Sequence, residues 1–156
     1  MSHKSPAIAE RIAHLGGRVQ PAHLLGWLEC FNAGEFYEAH DVLEDLWLED
    51  RAAPVADFYK GLIQLAGAFV HLTMHENPEY PAAGPRLHAS AKLFRLARSN
   101  LAKYPWAPHG FPSHEALEAI DHWLSLLKEG DAGPNPLDTE QPPRLWRDCF
   151  KERAGE

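Results

Sequence analysis

From Phe36 to Trp47 the chain reads Phe-Tyr-Glu-Ala-His-Asp-Val-Leu-Glu-Asp-Leu-Trp, and its polar members are of the types that carry protons or hold metal ions. On a helix at about 100° per residue they separate. Asp41, Asp45 and Glu49 fall on one side with Glu38 and read as solvated. His40 and Glu44, four apart, fall on the arc of Phe36, Leu43 and Trp47, with Tyr37 at its edge. An ionisable group buried without a partner costs several kcal/mol, so this imidazole and carboxylate must pair, bind a metal, or meet a polar group from another helix. The next apolar segment offers that group. Lys60, Gln64 and His71 project within about 40° of one another there, and Gly67 between them leaves room for a close approach.

Three uses of this constellation stay open. In the first, His40, Glu44 and His71 hold a divalent metal, and Glu38 or Asp41 acts as general base of a metal-dependent hydrolase; helix bundles do build such sites from inward His and Glu. Against it, neither the two-histidine zinc helix nor a duplicated Glu-x-x-His pattern is present. In the second, the chain is a binding or interaction module. His40, Glu44 and Gln64 then set the packing, and an apolar groove takes a peptide or a second copy, with Trp27, Trp47, Trp106, Trp123 and Trp146 as available anchors. In the third, the His–Glu pair only locks two helices together. The second is the primary expectation and the hydrolase its alternative.

The elements that position these groups follow from apolar residues recurring at three and four, with no stretch of period two. A weak first helix spans about Pro6 to Leu15, ended by a left-handed Gly16-Gly17 pair. A second starts at Pro21, carries Leu24, Trp27, Leu28 and Phe31, and stops at Gly34. Glu35 to Glu49 forms the third, in a hairpin with the second because the link is so short. A long helix from about Asp57 to His75 follows, broken by Pro78 and Pro81. Another runs from about Ala83 to Lys103, with Leu87, Phe94 and Leu101 at heptad spacing. Ser113 caps the last main helix, which ends at Gly130. The fold class is all-α, an antiparallel bundle of about five to six helices with an extended C-terminal tail.

The chain of 156 residues reads as one domain, with residues 20 to 130 as bundle core and the Pro-rich 131 to 156 docking back through Leu145, Trp146 and Phe150. A formal net charge of −7 argues against a nucleic-acid surface. The basic residues Arg86, Lys92, Arg95, Arg98 and Lys103 read as the wet face of one helix. No apolar run is long enough to span a bilayer, and no leader is expected. Cys30 and Cys149 have neither disulfide nor metal spacing, which suits a reducing, cytoplasmic location. A protein partner or self-association is the partner class left open.

The run Phe31-Asn-x-Gly-x-Phe-Tyr-Glu-Ala-His-Asp-x-Leu-Glu-x-x-Trp47, followed by Gly61-Leu-Ile-Gln-Leu-Ala66 and His71, resembles the domain-of-unknown-function family 309, which comprises small helical proteins of prokaryotes and plastid-bearing organisms. The resemblance covers about residues 20 to 105. It implies a helical fold and no particular activity, and it singles out Phe31, Asn32, Gly34, Phe36, Tyr37, Glu38, His40, Glu44, Trp47, Gly61, Gln64 and His71. Asp41 stands where the family usually has a second Glu. Glu38 belongs to the family pattern but not to the His40 arc, and a carboxylate there opposes the positive end of the helix dipole.

Overall fold

Six α-helices form among the described residues of this computed structural model, which are 5–16, 21–80, 82, 84–106 and 108–145. They are α1 (Ser5–Arg11), α2 (Ala22–Asn32), α3 (Phe36–Glu49), α4 (Ala56–Met74), α5 (Leu87–Leu101) and α6 (Ser113–Leu126), with short 3-10 turns between and after them. No strand forms among these residues, and the all-α bundle stands as expected. No helix of the described residues is long and apolar enough to cross a membrane.

The α2–α3 corner shows how local sequence sets the architecture. Gly34 adopts φ +78°, a left-handed conformation that a side chain disfavours, and the Glu35 N–H turns back to the Cys30 carbonyl at 2.8 Å. The reversal lays α3 antiparallel on α2. Next α3 packs on α4, α4 on α5, and α5 on α6. A chain of rings runs through the middle: Trp27 stacks on Phe31 at 4.7 Å, Phe36 on Phe69 at 4.9 Å, and Phe69 meets Trp123 edge-on at 4.9 Å. The Trp27 indole N–H, with no water to reach, donates to the Leu62 carbonyl at 3.1 Å. At Gly61, α5 comes close enough that an added Cβ would lie 3.1 Å from the Asn100 and Leu101 side chains.

Four details differ from expectation. Gly16 is extended (φ −62°, ψ 149°) rather than left-handed, because α1 has already ended at Arg11 and a 3-10 turn follows; Gly17 lies outside the described residues. The fifth helix starts at Leu87, not Ala83, since Pro85 disfavours helical geometry in Gly84, and the Arg86 N–H goes to His75 Nδ1 at 2.8 Å. Ser113 is the first helical residue rather than the cap, and its buried hydroxyl has no partner among the described residues. Of the five tryptophans, Trp27 and Trp123 are core, Trp47 is half-buried beneath Arg51, and Trp106 is exposed, which leaves few anchors on the surface; Trp146 lies outside the described residues.

Beyond α6 the Pro-rich segment is held by polar side chains as well as apolar ones. Asn135 Nδ2 donates to the Leu72 carbonyl at 2.8 Å, and Leu145 is buried against the bundle beside Asn32. Phe150, the other residue expected to dock, lies outside the described residues with Trp146.

Candidate functional site

Helices α3 and α4 leave a cleft of about 220 Å³ lined by Tyr37, His40, Ile63, Gln64, Gly67, Val70, His71 and, from α5, Leu93. Three of the expected residues, His40, Gln64 and His71, therefore meet around one space. Their spacing explains it. Gln64 and His71 are seven apart on α4, two turns of one face, and Gly67 lies on the same face between them. A Cβ at Gly67 would reach only the flexible end of Leu93, at 3.1 Å. A second hollow of about 430 Å³ shares Tyr37 and Val70 with the cleft and adds Glu38, Met74 and Tyr80.

The rest of the expected set is placed otherwise. Lys60 is exposed and lines neither hollow. Trp47 carries the Arg51 guanidinium over its ring at 5.3 Å. The split of α3 into a solvated and a buried polar set fails for Asp41 and Asp45. The side chains of Asp41 and Asp45 keep 18% and 9% of their exposure, whereas those of His40 and Glu44 keep 30% and 32%. The reason is tertiary: α2 and α1 both cover α3, and the Asp45 side is closed by His23 of α2, whose Nε2 lies 3.1 Å from the Asp45 carboxylate. His23 carried no signal in the sequence, since its partner is on another helix. Glu38 and Glu49 are exposed as read.

His40 stands between two carboxylates. Its Nδ1 is 3.2 Å from Asp41 Oδ1 and its Nε2 is 3.6 Å from Glu44 Oε2. One donor atom each from His40, Asp41 and Glu44 lie within 4.8 Å of one another. His71 is not in that trio, so Asp41 takes the place His71 was expected to fill. His71 is engaged elsewhere: Arg86 lies 3.1 Å from its Nδ1, and burial first, then the Arg86 charge, hold the imidazole below its usual pKa. A lone pair already taken by a guanidinium is a poor metal ligand.

Three residues the sequence reading left out of the site complete it. Asn100 Nδ2 donates to Gln64 Oε1 at 2.7 Å, and Lys103 Nζ donates to Asn100 Oδ1 at 3.0 Å and to Asp57 at 2.7 Å. Lys103 and Arg86 were read with the wet face of α5. Lys103 is half-exposed and reaches Asn100, the partner of Gln64, while Arg86 is half-buried and reaches His71. Arg98 of the same set pairs with Asp121 at 2.6 Å. Cys30 is buried, and burial pushes its thiol pKa up.

The fold and site together define a helical-bundle protein with a cleft between its third and fourth helices. Residues 24–80 match the family model described as Domain of unknown function (DUF309), the family the motif resembles. The matched segment holds every cleft residue except Leu93. No curated protein and no solved structure matches the chain.

Proposed function

We propose that this chain is a binding module whose site is the α3–α4 cleft. The observation that carries the reading is the convergence of His40, Gln64 and His71 on a hollow otherwise lined by Tyr37, Ile63, Gly67, Val70 and Leu93: a few placed polar groups over an apolar floor is the usual make-up of a small-ligand site. Its size sits below the range of drug-sized pockets and suits a small molecule or one protruding side chain of a partner. The test is a fragment screen followed by amide and side-chain resonances of the labelled chain. Hits should move the cleft residues and lose their effect in Gly67→Leu, which fills the space, or in Val70→Phe should the first variant fold poorly. Hits that move other surfaces, or that ignore both variants, would sink the reading.

One observation favours a second reading, a divalent cation on His40, Asp41 and Glu44, whose donor atoms are close enough to share an ion. The imidazole faces Asp41 with Nδ1 and Glu44 with Nε2, and a cation shared by the three would take one nitrogen of His40 and one carboxylate oxygen from each neighbour. Hydrolysis would further require a water on that ion facing the cleft. Metal content of untagged protein decides between the readings.

A further inference from the structure

The hydrogen-bonding sense of two residues that line the cleft, Gln64 and His71, is set by two cations. Lysine and arginine side chains donate hydrogen bonds and accept none, so whatever they touch must present an acceptor. Lys103 Nζ, anchored by Asp57, touches Asn100 Oδ1, which leaves the Asn100 amide only its N–H groups to offer, and one of these donates to Gln64 Oε1. Gln64 is thereby committed to accept on its buried side and to present its NH₂; no bond from that NH₂ is found among the described residues. Arg86 imposes the same order on His71. Its guanidinium donates to Nδ1 at 3.1 Å, so the neutral ring carries its proton on Nε2 and has an N–H to give. The depressed basicity of His71 agrees with a neutral ring.

We propose that the cleft selects small molecules presenting a hydrogen-bond acceptor, a carbonyl or carboxylate oxygen, on an apolar body. The proposal rests on the cleft being a binding site. Gln64 Nε2 and His71 Nε2 are the donors, and Ile63, Val70 and Leu93 receive the body. A dry cavity of about 150 Å³ holds benzene, so a hollow of about 220 Å³ takes a ring of that size with one polar substituent. His40 and Tyr37 are the other polar groups lining the cleft, and the selection does not depend on them.

The experiment titrates benzamide, benzoate and benzylamine, three probes of one shape, into the isotopically labelled full chain and follows the Gln64 side-chain NH₂ and the His71 ring. Benzamide or benzoate should bind at the cleft at least about tenfold more tightly than benzylamine, the worth of one hydrogen bond made rather than left unmet. The order of the first two tells a neutral carbonyl from a carboxylate. Gln64→Glu keeps the shape and the bond from Asn100 but turns the free end into an acceptor, so benzylamine should gain and the acceptors lose. If that variant folds poorly, Gln64→Met should weaken benzamide and leave benzylamine unchanged. Benzylamine bound as tightly as benzamide, or an order indifferent to Gln64→Glu, overturns the inference while the binding reading survives. No cleft resonance moved by these probes overturns the inference; none moved by any fragment overturns both.

Discussion

Asn32 and Leu145, 113 positions apart, exchange two hydrogen bonds: Asn32 Nδ2 donates to the Leu145 carbonyl at 2.8 Å, and the Leu145 N–H donates to Asn32 Oδ1 at 2.7 Å. One side-chain amide thus pairs with a backbone as a neighbouring strand would, and it gives a physical role to an Asn that the motif singles out. Asn32→Ala leaves both Leu145 groups unmet beside a buried side chain and should cost about 1–3 kcal/mol. Urea denaturation measures it. Trypsin cleavage after Arg144 should quicken in the same variant, and an unchanged cleavage rate would mean the segment is held without Asn32.

Two glycines of α4 should respond oppositely to alanine. At Gly61 the new methyl would lie 3.1 Å from the Asn100 and Leu101 side chains, near the backbone of α5, so Gly61→Ala should destabilise by about 1–3 kcal/mol. At Gly67 it meets only the end of Leu93, which can turn aside, and alanine favours a helix by about 1 kcal/mol. Gly67→Ala should therefore be neutral or stabilising. Equal losses at both sites in chemical denaturation would contradict this account of the cleft.

His71 predicts a pH dependence. Its folded-state pKa lies below the ordinary imidazole value, so the neutral ring is favoured by folding and its contribution is complete above about pH 6.5. As the pH falls through that value the unfolded chain takes up the proton first, and stability declines until the folded-state pKa is passed. His109, also held low by burial, adds to the same slope. His71→Gln should make the stability curve flatter between pH 7.5 and 5 than in the parent protein, as followed by thermal melts; an equally steep curve would leave His71 without a part in it.

On the binding reading, protein purified without a histidine tag carries no stoichiometric divalent metal, and chelation leaves its melting temperature unchanged. Elemental analysis beside the melt checks both. Near-equimolar zinc, manganese or iron, lost in His40→Ala, would move the conclusion to the cation reading.

How much of this was legible in the sequence can be judged at particular residues. The seven-residue spacing of Leu87, Phe94 and Leu101, all fully buried, marks its helix because periodicity reports which side of an element is apolar. Periodicity also put Gln64, Gly67 and His71 on one face. It does not report which neighbours cover the flank of that face, and so Asp45, read as solvated, is nearly closed off beneath His23. Bonds between helices are equally silent. Gln64 and Asn100 are 36 positions apart, and nothing in either segment names the other.

The Gln64 half of the proposed preference for acceptors is decided by Lys103, a half-exposed residue that does not line the cleft. Its ion pair with Asp57 lies at the surface and contributes little to stability. With Lys103 replaced by Met, Asn100 is free to turn its amide over, Gln64 can follow, and the cleft then offers an acceptor beside the N–H that Arg86 keeps on His71. A survey of substitutions scored by folding would pass position 103 as silent. Among descendants of one ancestor, what the protein recognises could drift through that position while every wall of the cleft stayed the same.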